Sequence, residues 1–259
     1  MSAAAPESLD QAVERVCRAD TLLVATDFDG VLAPLVDDPM SARPGPGTIE
    51  ALCDLADQPG THAAAVSGRA LAVLTELTGL SGSTVTLIGS HGAELSAHEE
   101  TAGDRAAELA LLERVTDDLR AMLADHPQAR LETKPVASVV HTRGLDPAAA
   151  EAATAATLEV AARHPDVEVL RGKDVVELLV IRTDKGTALR GLAGRLGADA
   201  VVYLGDDVTD EHAFAVLGEQ DLGIKVGPGE TAARQRVESP EEVARLLPRL
   251  AATRRSAHR

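Results

Sequence analysis

The sequence predicts an α/β protein: a parallel sheet with helices on both faces, interrupted by a smaller α+β insert. Three observations lead there. Short apolar runs with strand character recur at 21–26, 61–66, 84–89, 201–205 and 223–227. Helical patterns fall between or after them, at about 47–57, 69–79, 185–197, 209–218 and 240–250. Alternation of this kind is the signature of parallel strands joined by crossover helices. The stretch from 90 to 181 breaks the pattern. It carries two long Ala/Glu/Leu-rich helical segments, 104–124 and 146–163, each followed by paired strand-like runs, 129–134 with 136–142 and 167–171 with 175–181. A helix-strand-strand unit occurring twice predicts an antiparallel sheet of its own, so the expected division is 1–95 with 182–259 as core and 96–181 as insert. Pro39–Pro46 reads as a Pro/Gly-rich loop, and 253–259 as a frayed basic tail without a role.

Composition narrows the function. Of 259 residues, 45% are hydrophobic but only one Tyr and two Phe are aromatic, so the core is built from Leu, Val and Ala. Such a chain has no stacking platform for bases. A formal net charge of -16 argues against nucleic acid and anionic membranes as partners. Any anionic substrate then needs local cations. Cys17 and Cys53 are too few for a disulfide framework and read as small buried hydrophobes. Met1–Glu7 has no basic stretch followed by an apolar one, and no apolar run approaches the ~20 residues of a membrane helix, so the cytoplasm is the expected compartment.

Ionisable residues collect at the predicted strand ends, where open parallel sheets bind ligands. The first strand runs into Asp27-Phe28-Asp29-Gly30. Alternation puts Asp27 and Asp29 on one side if the extended conformation persists, and two like charges held together call for a cation or a proton. Alone, the segment reads equally well as an Asp-Gly turn closing a strand. The second strand ends at Ser67-Gly68-Arg69, where Ser67 is expected to open a helix, either as a plain N-cap or beside amides that hold phosphate. The third ends at Gly89-Ser90-His91-Gly92. The fourth delivers Asp206, Asp207, Asp210 and Glu211, more carboxylates than a helix N-terminus needs. With Asp27 and Asp29 they suggest a hard cation such as Mg²⁺. Only four of the 25 basic residues are Lys, namely Lys134, Lys173, Lys185 and Lys225. Lys185 stands at a predicted helix start, where the dipole disfavours a cation unless anions lie nearby.

Asp27-x-Asp29-x-Val31, Ser67, Lys185 and Gly205-Asp206-Asp207-x-x-Asp210, in that order across nearly the whole chain, resemble the haloacid-dehalogenase (HAD) superfamily of phosphatases. The resemblance implies a Rossmann-like core with an inserted cap of the C2B type. It assigns Asp27 as the nucleophile that becomes an aspartyl-phosphate and Asp29 as the general acid and then base. Ser67 and Lys185 would hold phosphoryl oxygens. Asp206 would bind Mg²⁺ with Asp27 and the Asp29 carbonyl, with Asp207 and Asp210 as further ligands or as holders of its waters and of Lys185.

Finer motifs resemble the trehalose-6-phosphate phosphatase family: Asp29 to Pro39, Val66-Ser-Gly-Arg69, Gly89-Ser-His-Gly-Ala-Glu94 and Gly205 to Glu211. In the insert, Glu132-x-Lys134, His141-x-Arg143, Gly172-Lys173 and Glu177 match as well. What this implies is hydrolysis of trehalose 6-phosphate, with Glu132, Lys134 and Glu177 contacting the sugar and Arg143 a weaker candidate. Gly68, Arg69 and His91 join them as substrate-binding residues, and a functional association with a trehalose-6-phosphate synthase is implied. Glu132 with Lys134, and His141 with Arg143, share strand faces by alternation and equally suit ion pairs on an exposed sheet. Leu179-Val180 stand where the family usually has Arg-Pro, which leaves other sugar phosphates, such as sucrose phosphate or mannosyl-3-phosphoglycerate, open as substrates. A catalytically silent module that binds a sugar phosphate is the alternative of a different class.

Overall fold

The structure, a computed structural model, describes residues 7–96, 106–180 and 183–258. The residues weighed above as a leader (apart from Glu7), the 104–105 start of the first insert helix and the 181–182 boundary lie outside these. The chain forms two compact units, Met1–Glu99 with Thr183–Arg259, and Glu100–Arg182. No helix among the described residues is long and apolar enough to cross a membrane.

The larger unit holds β1 (Leu22–Thr26), β2 (Thr61–Val66), β3 (Thr86–Gly89), β4 (Glu94–Leu95), β9 (Ala200–Gly205), β10 (Leu222–Val226) and β11 (Gln235–Val237). Its strand order is β11-β10-β9-β1-β2-β3-β4, parallel throughout except for the β3–β4 pair. Alternation along β1 explains the two-sided core. Leu22 and Val24 pack with α1 (Leu9–Val16), α2 (Thr48–Ala56), α3 (Leu71–Thr78) and α8 (Pro240–Ala257). Leu23 and Ala25 pack with α6 (Lys185–Leu196) and α7 (Val208–Ala215). A strand buried on both faces reads as a near-continuous apolar run, and β1 is apolar from Leu22 to Ala25, with the buried Thr26 hydroxyl donating to the Asp27 carbonyl at 2.9 Å. The short edge strands β4 and β11 were not predicted; two or three residues carry too little periodicity to be read.

The smaller unit contains α4 (Ala106–Leu123), β5 (Arg130–Lys134), β6 (Ala137–His141), α5 (Pro147–Ala162), β7 (Glu168–Gly172) and β8 (Val175–Leu179). Its sheet is antiparallel in the order β5-β6-β8-β7. The β6–β8 pairing joins the two helix-strand-strand units into one sheet, and Val140, Val176 and Leu178 pack under α4 and α5.

The C-terminal segment corrects the reading of 253–259 as a frayed tail. α8 continues to Ala257, through Pro248, because Leu246, Leu247, Leu250, Ala251 and Arg254 keep one face buried. Arg254 is 1% exposed. Its guanidinium donates to the Thr61 hydroxyl at 2.8 Å and to the carbonyls of Cys17 at 2.9 Å, Gly60 at 2.8 Å and Asp20 at 3.0 Å, and also to the carbonyl of Ala19. One side chain thus ties down the turns that lead into β1 and β2. Cys17 lies in the same core, where burial pushes its thiol up to about 11.

Arg254→Met leaves several buried acceptors without a donor, and an unmet buried polar group costs about 1–3 kcal/mol. We expect a loss of about 3 kcal/mol in urea unfolding. Arg255→Ala removes only a surface pair with Asp54 and is expected to cost less than about 1 kcal/mol.

Candidate active site

The strand order reverses between β1 and β9, and the crevice at such a reversal is where open α/β sheets bind ligands. Asp27 follows β1 and Asp206 follows β9, so both stand at that crevice. Ser67 follows β2, and Ser90 and His91 follow β3. A pocket of about 430 Å³ opens there, its walls including Asp27, Asp29, Ser67, Gly68, Arg69, His91, Lys185 and Asp207.

Lys185 is the hub. It is the first residue of α6, whose N-cap is Asp184, and it is 2% exposed. Its ammonium donates to Asp27 Oδ2 at 2.7 Å and to Asp210 Oδ1 at 2.8 Å, with Asp207 Oδ1 at 3.8 Å. Asp210 is fully buried, and its two oxygens accept from Lys185, the Tyr203 hydroxyl at 2.7 Å, and the amides of Asp206 at 2.9 Å and Asp207 at 3.0 Å. Four donors use its lone-pair directions. Asp210 therefore holds Lys185 and the turn after β9. Asp207 is the N-cap of α7, accepting from the amides of Thr209 at 2.8 Å and Asp210 at 3.1 Å. Glu211 binds the Ala232 amide instead of joining this cluster.

Asp27 Oδ1 accepts from the Phe28 amide at 2.6 Å. Burial pushes the Asp27 carboxyl up, the Asp210 charge adds to this, and Lys185 pulls it down. Burial, with Asp210 and Asp207 beside it, pushes Asp206 up to about 6. Gly30 takes φ +72°, and a side chain there would overlap the Asp206 carboxylate, so this position requires glycine for both reasons. Lys225, buried on β10, donates to the Asp206 carbonyl. The sequence marked Lys225 only by the rarity of lysine. One oxygen from each of Asp27, Asp206, Asp207 and Asp210 lies within 4.8 Å of the others. An all-carboxylate donor set, with burial raising the proton affinities of Asp27 and Asp206, fits a hard divalent cation.

Asp29 and Arg69 form a two-armed pair. Nε of Arg69 donates to Oδ2 and a terminal nitrogen to Oδ1, each at 2.7 Å. The other terminal nitrogen donates to the Pro39 carbonyl at 2.7 Å, and the guanidinium stands 5.4 Å from the centroid of the Phe28 ring. Gly68 lies against the His91 ring and has no room for a Cβ.

Two expectations need correction. Ser67 does not open a helix: α3 starts at Leu71 with Ala70 as its N-cap, and the Ser67 hydroxyl accepts from the Arg69 amide at 3.2 Å. The amide of Leu71 is instead taken by Glu94, at 3.1 Å and 3.2 Å, a partner 23 residues away that no local pattern reveals. Arg143 does not share a strand face with His141, because β6 ends at His141 and Arg143 sits in the exposed turn beyond it.

Within the insert, the register aligns Glu132, Val139 and Glu177 across three strands, and alternation puts Lys134 and His141 on the same face. Lys134 pairs with Glu177 at 2.8 Å, and His141 with Glu132 at 2.7 Å. The structure brings these residues together as ion-paired neighbours.

The family profile described as trehalose-phosphatase matches residues 25–243. A Mycobacterium marinum protein named trehalose-phosphate phosphatase is 36% identical over 264 residues, covering 94% of this chain and 66% of that protein. One of the same name from Mycobacterium tuberculosis H37Rv is 35% identical over 268 residues, covering 96% and 67%. The chain thus spans about two thirds of the length of these curated relatives. Among solved structures, trehalose-6-phosphate phosphatase from Aspergillus fumigatus superposes with a TM-score of 0.71 at 25% identity, covering 96% of this chain and 99% of that one.

A folded-state carboxyl near pH 6, against about 4 in the unfolded chain, binds its proton more tightly when folded. Its stabilising contribution is present below about pH 4 and is lost as pH rises to about 6. In chelator, Asp206→Asn is therefore expected to melt higher than the parent protein at pH 7, with the gap closing as pH falls toward 4. An equal gap at both pH values in thermal melts contradicts this account of the cluster.

Proposed function

The chain belongs to the trehalose-phosphatase family, and we propose that it hydrolyses trehalose 6-phosphate to trehalose and inorganic phosphate in a Mg²⁺-dependent reaction. The observation that carries this reading is the Asp27–Lys185–Asp210 cluster opening onto one pocket with Asp29, Ser67 and Arg69.

Asp27 is the nucleophile. Its carboxylate attacks phosphorus, and the ester P–O bond breaks as an aspartyl-phosphate forms. A carboxylate approaching a phosphate dianion meets strong repulsion, which Lys185 reduces by offering its ammonium to both anions. Ser67 supplies a neutral hydroxyl to a phosphoryl oxygen. Asp29 gives its proton to the departing sugar oxygen and then takes one from the water that hydrolyses the aspartyl-phosphate. Asp27, Asp206 and the Asp29 carbonyl would hold Mg²⁺, which when bound would supply Lewis-acid neutralisation of the phosphate charge. Asp210 and Asp207 act from behind, as holders of Lys185 and of the turn that carries Asp206.

For the sugar, Glu132, Lys134 and Glu177 are the proposed ligands, with Arg143 secondary, and Gly68, Arg69 and His91 are candidates at the phosphate pocket. Charged groups that pair with one another when unliganded can exchange those partners for hydroxyls, and charge-assisted hydrogen bonds discriminate strongly among sugars. A sugar phosphate does not cross membranes unaided, which supports a cytoplasmic site of action beside the synthase that would supply it.

Phosphate release from a panel of sugar phosphates tests the reading. Trehalose 6-phosphate is expected to be the preferred substrate, Asp27→Asn to abolish turnover without unfolding the protein, and chelation to abolish it reversibly. Comparable rates on glucose 6-phosphate, sucrose phosphate and mannosyl-3-phosphoglycerate would sink the substrate assignment. Retained turnover in Asp27→Asn would remove that residue from the nucleophile's role.

A further inference from the structure

Arg69 lines the pocket, yet the structure has already committed three of its five N–H donors. Two go to Asp29 and one to the Pro39 carbonyl, and the guanidinium lies over Phe28 with its side chain 13% exposed. A two-armed pair between planar groups has essentially one geometry, so it fixes the plane in which the Asp29 carboxylate lies. Lysine has the charge but not the fork.

The two half-reactions ask opposite things of Asp29. In the first, a proton leaves an Asp29 oxygen for the departing ester oxygen. A carboxyl oxygen that carries a proton is a poor acceptor, so the acid form gives up one arm of the fork. In the second, the water oxygen forms its bond to phosphorus while its proton passes to Asp29. The bond from phosphorus to the Asp27 oxygen breaks, and its electron pair returns to the Asp27 carboxylate. The fork-held carboxylate is competent for this step, because each oxygen still has a second lone pair facing away from Arg69.

We infer that Arg69 is a positioning residue for the second half-reaction: it holds Asp29 in the orientation from which it accepts the proton of the attacking water. In this role it acts through Asp29 instead of binding the sugar. The inference rests on the phosphatase reading given above.

The test is transient kinetics of Arg69→Met and Arg69→Lys with p-nitrophenyl phosphate, whose leaving group departs as a stable phenolate without a proton donor. Its first half-reaction is therefore insensitive to Asp29. Arg69→Met is expected to release a burst of p-nitrophenolate approaching one equivalent per enzyme. Turnover should then be roughly 10²-fold slower than in the parent enzyme, the scale of a lost general base. A phosphoenzyme should be trapped by acid quench, and kcat/KM should stay near the parent value while kcat and KM fall together. Arg69→Lys should recover part of kcat, and thermal melts establish that each variant is folded. A fall in kcat/KM without a burst would place Arg69 in substrate binding or phosphoryl transfer and overturn the inference, as would an unchanged kcat. A parent enzyme that releases no phosphate from either this ester or trehalose 6-phosphate defeats the phosphatase reading itself, which is a separate outcome.

Discussion

Lys185, buried between Asp27 and Asp210, is the contact on which the rest of the site depends. A lysine without water must face anions, and an aspartate without water must face donors, so each residue makes the burial of the others tolerable. Asp210 extends the arrangement outward. By accepting from Tyr203 and from two successive amides it turns the chain after β9, and that turn sets where Asp206 stands. Removal of the lysine would leave two buried carboxylates facing each other, which is why the helix α6 begins with a residue its own dipole disfavours.

The site keeps more negative than positive charge. Four carboxylates cluster where Lys185 and Lys225 supply the nearby ammonium groups. Burial and mutual repulsion raise the proton affinities of Asp27 and Asp206. Such an arrangement is poised to take up either protons or a divalent cation, and oxygen donors favour a hard one. On the far side of the pocket the charge balance differs: Arg69 matches Asp29 one to one, with geometry specific enough to set its orientation. Two neighbouring aspartates beyond one strand end thus meet different environments, as the proposed division into a nucleophile and a proton carrier requires.

Precision at the rim comes from rigidity beneath it. The strands that lead to Asp27 and Ser67 pack apolar side chains into the core on both faces, and Arg254 anchors the turns that lead into both. A last helix with a proline in its interior persists because its buried face supplies what its propensity does not.

Much of this was legible in the chain. Alternation of apolar strands with helical patterns sufficed for the α/β class, because a buried parallel strand reads as a near-continuous apolar run and a crossover helix is amphipathic. Asp27, Asp29, Ser67 and Asp206 were legible because strand ends are where a parallel sheet exposes its chemistry, and Lys185 because lysine is rare in this chain and this one stands at a helix start. Tertiary structure alone decided the partners. The Arg69–Asp29 fork, the capping of α3 by Glu94 and the burial of Arg254 each join residues 23 or more positions apart, at separations local periodicity does not encode. For the same reason Ser67 read as a helix cap and residues 253–259 as a frayed tail, when the structure makes one a strand-end hydroxyl and puts most of the other in a packed helix. The sequence by itself determined which side chains are available at the crevice; only folding decided which of them face one another, because that depends on strand order and on distances set across the sheet.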